Sequence, residues 1–239
     1  MRQTIATVGP GRLGTALTAA LSDAGLPVSG PYRRGFTGAG TDIVLLCVPD
    51  GAIAAAAAAI TPGPMVGHCS GATGLGVLTP HEAFGLHPLM TVTPAGAQFA
   101  GAGCAVAGST PEALECATEL AAVLRMDPFV VADADRTTYH AAASIASNFL
   151  VTLEDAAERL AAQAGIPRAA LVPLARAALE NWAAEGARNA LTGPISRGDE
   201  ETVTRQRDAV LHAAPELLEL FDALAAATRT LAGRPEVHA

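Results

Sequence analysis

The first part of the chain alternates short apolar runs with stretches of helical pattern. Helices are predicted over residues 15–21, 53–60 and 111–124, the last of them opened by Thr110. This alternation is typical of a doubly wound α/β domain. The apolar runs, which have the length and the flanking turn residues of buried strands, span residues 5–8, 26–32, 42–48, 64–68, 84–88, 103–108 and 128–131.

The pattern changes at Asp133, where the apolar runs stop and long helical stretches begin. We therefore predict two domains, an α/β domain over residues 1–133 and an all-helical domain over residues 134–239. The predicted helices of the second domain span residues 135–164, 167–185, 199–211 and 215–231.

Three glycines in a G-x-G-x-x-G arrangement follow the first apolar run and precede the first helix. This is the context of a dinucleotide-binding turn. Gly9 makes the tight turn, Gly11 lets the pyrophosphate approach, and Gly14 packs helix against strand. The N–H groups at the start of the helix, including those of Arg12 and Leu13, then face the phosphates. The alternative is a plain glycine-rich turn.

The second predicted strand ends at Arg33 and Arg34, about twenty residues beyond the glycines. An acidic residue at this point would bind the 2′-hydroxyl of NAD, whereas an arginine can pair with the 2′-phosphate of NADP. The arginines therefore favour NADP(H) over NAD, the alternative being a solvated pair on a loop. Residues 35–41 are short and glycine-rich, so one crossover of the fold is expected to be a loop.

The ends of the next two strands carry further candidates. Val48 and Pro49 end the strand expected beside the nicotinamide, and Ser70 follows the next strand at the same edge of the sheet. Ser70 is therefore predicted beside the nicotinamide or the substrate. Asp50 is predicted to cap the alanine-rich helix over residues 53–60 rather than to take part in catalysis.

The long helix of the second domain carries a polar stripe. His140, Ser144 and Asn148 are spaced i, i+4, i+8, which places them on one face of an α-helix. Such a stripe in an alanine-rich helix faces either a crevice, which we favour, or a hydrogen-bonded core network. Farther on, residues 189–199 are expected to form an ordered loop ending at Asp199, an N-cap. Arg197 in this loop either binds a substrate carboxylate or is a surface arginine.

Composition and charge exclude several classes of function. The net charge is −8 and there is no long basic run, so the chain lacks the basic surface of a nucleic-acid-binding protein. Neither a signal peptide nor a membrane span is recognised, and four scattered cysteines are typical of a reduced, cytoplasmic protein. The histidines lack ligand spacing, so no metal site is expected. All 15 cationic side chains are arginine, which excludes any mechanism that needs lysine.

The N-terminal glycine unit, the strand ending in Val48-Pro49-Asp50 and the helical second domain resemble the 6-phosphogluconate dehydrogenase-like superfamily. That group includes β-hydroxyacid dehydrogenases, ketopantoate reductase and pyrroline-5-carboxylate reductase. A closer resemblance is to bacterial Rossmann-like proteins with a helical C-terminal domain of unknown function. It rests on His68-Cys69-Ser70-Gly71, His87-Pro88, Tyr139-His140, Asn148 and Leu191-Thr192-Gly193-Pro194 with Arg197-Gly198-Asp199.

The resemblance implies NADP-dependent hydride transfer involving a small carbonyl or imine compound, and a homodimer joined through the helical domains. The chain departs from the β-hydroxyacid dehydrogenases at one position. Their catalytic lysine lies four residues before an asparagine, and counting back from Asn148 reaches Ser144. Their proton-transfer step cannot be carried over.

The sequence thus predicts an NADPH-dependent reductase of a small oxo acid, with ketopantoate-like compounds as leading candidates. His140 is the predicted general acid, because histidine is the side chain that titrates nearest neutral pH. Ser144 and Asn148 would hold the substrate oxygen, and Arg197 its carboxylate. The alternatives are an imine or pyrroline reductase, in which an acid such as Asp199 would meet a cationic substrate, and a non-catalytic NADP-sensing protein.

Overall fold

The structure is a computed structural model, and it describes residues 3–94 and 96–233. The chain divides into two compact units, Met1–Ser147 and Asn148–Ala239. This division falls inside the long helical run, beyond the boundary at residue 133 that the change of pattern indicates. No helix of the described ranges is long and apolar enough to cross a membrane.

The first unit contains seven strands and four α-helices among its described residues. Short 3₁₀ turns cover Asp50–Ala52, Leu75–Leu78 and Asp133–Asp135. The strands are β1 (Ile5–Val8), β2 (Val28–Tyr32), β3 (Ile43–Leu46), β4 (Met65–His68), β5 (Ala83–Leu89), β6 (Gly103–Gly108) and β7 (Asp127–Val130); the helices are α1 (Arg12–Asp23), α2 (Ile53–Ala58), α3 (Pro111–Val123) and α4 (Arg136–Ser144).

The strands form one sheet in the order β2-β1-β3-β4-β5-β6-β7. All neighbouring pairs are parallel except β5 and β6, which are antiparallel because no helix lies between them to return the chain. Residues 35–41 form a loop, as predicted, so β2 remains the edge strand beside β1. The predicted α/β fold class is confirmed. Thr110 caps α3, its hydroxyl accepting a hydrogen bond from the backbone of Ala113 at 3.1 Å.

Helices cover both faces of the sheet, and β3 shows why. All four of its residues are buried, and they alternate between two apolar clusters. Ile43 and Leu45 pack with Leu17 of α1, whereas Val44 and Leu46 pack with Ile53 of α2. A strand buried on both faces reads as a continuous apolar run, which is the signal that the sequence carries.

The second unit is helical. A π turn, Ile145–Phe149, interrupts the run that the pattern predicts as one α-helix over residues 135–164, so that prediction is wrong in its continuity. The predicted loop over residues 189–199 holds the end of one short helix and the whole of another, but Asp199 caps the next helix as predicted, accepting a hydrogen bond from the backbone of Thr202 at 3.1 Å. The helices are α5 (Leu150–Gln163), α6 (Arg168–Glu185), α7 (Ala187–Ala190), α8 (Pro194–Arg197), α9 (Glu200–Ala213) and α10 (Leu218–Leu231).

Candidate functional site

The glycine turn between β1 and α1 has two positions that exclude any side chain and one that leaves space. Gly9 has φ +108°, and a Cβ there would lie 2.4 Å from the carbonyl oxygen of Cys47. A Cβ on Gly14 would lie 2.0 Å from the carbonyl oxygen of Gly9. A Cβ on Gly11 would meet nothing within 4 Å. The turn is therefore closed against the sheet and open toward solvent at Gly11.

A cleft of about 380 Å³ lies beside this turn, at the carboxyl ends of β1, β3 and β4. The order of the strands reverses direction at β1, which makes this edge the topological switch point where open α/β sheets bind ligands. No side chain caps the first turn of α1, and no acid lies in it. The cleft is lined by Gly11, Arg12, Leu13, Val48, Pro49 and Ser70 of the predicted set, together with Cys47, Asp50, Cys69 and Val92.

Arg33 and Arg34 lie at the end of β2, next to the glycine turn. The backbone N–H of Gly9 donates to the carbonyl of Tyr32 at 2.8 Å, which ties the two loops together. Both arginines are exposed, and neither they nor Arg12 forms an ion pair with any residue that the structure describes. Three unpaired guanidinium groups near one helix N-terminus favour an anionic ligand.

Asp50 does not cap a helix, which corrects the prediction from the sequence. Its carboxylate makes no capping hydrogen bond to the 3₁₀ turn or to α2. The 3₁₀ turn replaces the expected first turn of α2, so the side chain is exposed and lines the cleft instead. This places a carboxylate in the cleft beside Ser70.

The hydroxyl of Ser70 is occupied by its own loop. Its Oγ accepts hydrogen bonds from the backbone N–H groups of Ala72 at 3.2 Å and Thr73 at 2.9 Å, and it donates to the Thr73 hydroxyl at 2.9 Å. Ser70 thus closes the turn after β4 through its side chain. Its backbone N–H donates to Nδ1 of the buried His68 at 3.2 Å. Burial, with help from Arg136, lowers the pKa of His68 and keeps that ring neutral.

Arg136 holds the same loop in place. No motif in the sequence had marked this residue as functional. It is 2% exposed, and its Nε donates to Oδ1 of Asp133 at 2.8 Å while an Nη donates to the carbonyl of Ser70 at 3.4 Å. The other carboxylate oxygen of Asp133 accepts from the backbone of Leu75 at 3.2 Å. Gly85 leaves room for the guanidinium, since a Cβ there would lie 2.7 Å from it. The signal available in the sequence was the i, i+3 spacing of acid and arginine at the start of α4.

A cluster of aromatic and imidazole rings lies where β5 and α4 meet. The Tyr139 hydroxyl and Nδ1 of His87 are hydrogen-bonded at 2.6 Å, and the ring of His140 stands edge-on to that of His87 with centroids 6.1 Å apart. Burial, assisted by His140 and Arg136, lowers the pKa of His87 to about 4. Burial likewise raises the pKa of Tyr139 to about 12. We call His87, Tyr139 and His140 the imidazole–tyrosine cluster.

This cluster borders the loop that follows β4. A Cβ on Gly71 would lie 2.9 Å from the His87 ring, so the glycine next to Ser70 is what admits that ring. Within the first unit, therefore, the structure brings the predicted residues Ser70 and His140 toward one edge of the sheet, and it adds His87 and Tyr139. In the sequence, His87 and Tyr139 stand out only as members of motifs, without a role.

The remaining predicted residues lie in the helical run and the second unit. His140 and Ser144 share α4, but Asn148 belongs to the π turn, which breaks the regular i+4 spacing. Arg197 is exposed, and its guanidinium donates to the carbonyl of Thr192 at 2.5 Å. The roles of Asn148 and Arg197 remain predictions.

The chain was compared with known proteins. No curated protein matches it in sequence. A solved structure from Bacteroides fragilis, provisionally assigned as an NADP oxidoreductase, is similar with a TM-score of 0.81 at 19% identity, over 95% of this chain and 98% of that one. A protein from Thermotoga maritima gives 0.79 at 21% identity, over 96% and 98%.

An imine reductase from Streptomyces aurantiacus gives a TM-score of 0.66 at 14% identity, over 96% of this chain and 98% of that one. At such identities these likenesses establish the fold alone. A family model described as a domain of unknown function, DUF2520, matches residues 102–228, more than half of the chain. The chain belongs to the DUF2520 family.

Proposed function

We propose that this protein is an NADPH-dependent reductase of a small carbonyl or imine compound. The observation that carries the proposal is the cleft at the switch point, where six residues predicted from the sequence to touch a dinucleotide line one space. The uncapped first turn of α1 offers N–H groups and a positive dipole end to phosphates. The similar structures described as NADP oxidoreductase and imine reductase support the same class.

The residues present fit a dinucleotide. Gly11 leaves open space where the pyrophosphate must approach, whereas Gly9 and Gly14 hold the turn in place. Arg12 would neutralise the pyrophosphate, and Arg33 with Arg34 would pair with a 2′-phosphate at the end of β2. When bound, the nicotinamide supplies a hydride. The chain must supply the proton, the orientation of the substrate and the exclusion of water.

The imidazole–tyrosine cluster supplies the proton in this proposal. Burial lowers the pKa of His87 to about 4 and makes it a poor proton donor, which leaves the half-exposed His140 as the donor of the pair. The hydrogen bond between His87 and Tyr139 holds the ring that His140 packs against. His140 is thus the proposed general acid in place of the missing lysine, and Tyr139 a positioning residue.

For an oxo acid substrate, Ser144 and Asn148 would hold the oxygen that is reduced, and Arg197 the carboxylate. In this role Arg197 would exchange its hydrogen bond to the Thr192 carbonyl for a bidentate pair with the carboxylate. A ketopantoate-like compound has this chemistry, and it remains our leading candidate among oxo acids.

The second candidate, imine or pyrroline reduction, is favoured by Asp50. Its carboxylate is exposed in the cleft and makes no capping bond, so it can face a cationic iminium group. Asp199, which the sequence analysis offered for this purpose, is occupied as the N-cap of α9. A third reading, a protein that binds NADP without turnover, predicts dinucleotide binding and no reduction of either substrate class.

We also propose that the second unit joins two copies of the chain. None of the residues of α6 is buried, although the helix carries Leu174, 69% exposed, and Trp182, 58% exposed. Val151 of α5 is 69% exposed and lines a mainly apolar groove of about 420 Å³ between α5 and α6. Large apolar side chains this exposed, together with a mainly apolar groove, support an interface on this unit.

The experiment that tests the cofactor is an equilibrium titration with NADPH and NADH. We expect NADPH to bind the protein more tightly, and the double variant Arg33→Ala/Arg34→Ala to lose that preference by about tenfold or more, since each tenfold corresponds to 1.4 kcal/mol. Arg12→Ala is the matched control, because loss of a contact to the pyrophosphate weakens the binding of both dinucleotides alike. Absence of binding by either dinucleotide would refute the proposed function.

A further inference from the structure

Two cysteines lie side by side at the carboxyl ends of neighbouring strands. Cys47 follows β3 and Cys69 follows β4, directly after the parallel partners Leu46 and His68. The ladder continues to this point, since the backbone N–H of Cys69 donates to the carbonyl of Leu46 at 3.2 Å. The two Sγ atoms are 3.7 Å apart. Neighbouring strands are about 4.8 Å apart, within the range of Cα separations that a disulfide bridges.

The pair lies in the cleft proposed for the dinucleotide. Both cysteines line it; Cys47 is half-buried and Cys69 is 8% exposed. Cys104 and Cys116 are buried like Cys69, but they do not line the cleft, and burial raises the pKa of Cys104 to about 12 and that of Cys116 to about 11. Cys47 and Cys69 are therefore the two cysteines that line the cleft, and Cys47 is the more exposed of them.

Cys47 is the better placed nucleophile of the two. It is the more exposed of the two, and its Cβ packs under the start of α1, where an added Cβ on Gly14 would lie 3.1 Å away. The hydrogen bond with Cys47 and burial raise the pKa of the Cys69 thiol, which suits Cys69 to the second, resolving step rather than to the first attack.

We propose that Cys47 and Cys69 form a reversible disulfide when the protein meets a peroxide, and that this bond closes the cleft to the dinucleotide. In the first step the Cys47 sulfur attacks one peroxide oxygen, the O–O bond breaks, and Cys47 sulfenic acid and water form. In the second step the Cys69 sulfur attacks the sulfenic sulfur, the S–S bond forms, and the hydroxyl leaves as water with the Cys69 proton. Two thiols are oxidised by two electrons and one peroxide is reduced.

The effect on the cleft follows from how tightly Cys47 is packed. A disulfide draws the sulfurs from 3.7 Å to about 2.05 Å. The backbone of Cys47 touches the glycine turn, its carbonyl oxygen lying 2.4 Å from where a Cβ of Gly9 would be. Movement of this strand end is therefore passed to the turn that binds the pyrophosphate. This second half of the proposal rests on the proposed function.

The first measurement maps the bond. The full-length protein is treated with hydrogen peroxide, free thiols are alkylated, and peptides are identified by mass spectrometry with and without dithiothreitol. We expect a peptide cross-linked between Cys47 and Cys69 that dithiothreitol cleaves. It should form as readily in the control Cys116→Ser and be absent in Cys69→Ser. Full alkylation of both residues after peroxide treatment, or a bond to Cys104 instead, would overturn the proposal.

The second measurement is the NADPH titration of the reduced, oxidised and re-reduced protein. We expect oxidation to weaken binding by about tenfold or more, a change of 1.4 kcal/mol, with recovery on reduction. Cys47→Ser, which can form neither the sulfenic acid nor the disulfide, should show no recoverable loss when it is compared with its own reduced form. An unchanged affinity for NADPH in the oxidised protein would overturn the proposal that the disulfide closes the cleft. If the reduced protein binds no dinucleotide, the proposed function fails, and the mapping alone decides the disulfide.

Discussion

Alanine substitutions at Gly9 and Gly11 apply the same added methyl group at two places in one turn. At Gly9 the new Cβ would lie 2.4 Å from the carbonyl oxygen of Cys47, and the residue would have to keep φ +108°. At Gly11, where φ is −78° and ψ 179°, the new Cβ would meet no atom within 4 Å. The two variants therefore separate a requirement of the fold from a requirement of the ligand.

The magnitudes differ accordingly. A non-glycine residue in such a backbone conformation costs of order 1–3 kcal/mol, and relief of a backbone clash adds to that. We therefore expect Gly9→Ala to lower the free energy of unfolding by about 3 kcal/mol or more. Gly11→Ala loses about 0.5–1 kcal/mol as an N-cap, where glycine is preferred to alanine, and gains about 0.4–1 kcal/mol through the unfolded chain. Its stability should stay within about 1 kcal/mol of the parent protein.

Urea unfolding and NADPH titration, run on both variants, provide the assay. We expect Gly11→Ala to unfold like the parent protein and to bind NADPH at least about tenfold more weakly, because the methyl group occupies the approach of the pyrophosphate. Equal destabilisation by the two substitutions would show that the space at Gly11 is not free. Parental affinity in a stable Gly11→Ala would show that the pyrophosphate does not lie there.

Four further outcomes are expected. Folding lowers the pKa of His87 from 6.5 to about 4, so the unfolded chain binds more protons than the folded protein between these pH values. The free energy of unfolding should therefore fall by up to about 3 kcal/mol as the pH drops from 6.5 to 4. His87→Phe should flatten this slope in acid titrations followed by circular dichroism. His140→Ala should lower the rate of reduction by about 100-fold or more, because the proposed proton donor is lost, and an unchanged rate would remove His140 from the mechanism. Asp50→Asn should slow reduction of a cyclic imine more than tenfold and leave an oxo acid within about threefold if the cleft receives a cation, and equal effects would reject that role. Leu174→Asp should convert a dimer to a monomer in sedimentation velocity, whereas a monomeric parent protein would end the dimer proposal.

Local patterns in the sequence predict much of the fold. The apolar run at residues 42–48 predicts β3 because a strand buried on both faces needs apolar side chains on both. Thr110 and Asp199 mark helix starts because their side chains bond to backbone groups only three residues away. The π turn at Ile145–Phe149 was missed because nothing in an alanine- and serine-rich stretch distinguishes it from an α-helix. Asp50 was misjudged because a 3₁₀ turn takes the place of the helix start.

The sequence by itself determined the order of strands and helices and the position of the glycine turn, because these depend on residues close together in the chain. Only the tertiary structure decided which distant groups meet. Tyr139 bonds His87 across 52 positions, and Cys47 touches Cys69 across 22. Arg136 reaches Ser70 across 66 positions and is buried there. Such pairs depend on which strands lie side by side and where a glycine leaves room, and no local pattern carries that information.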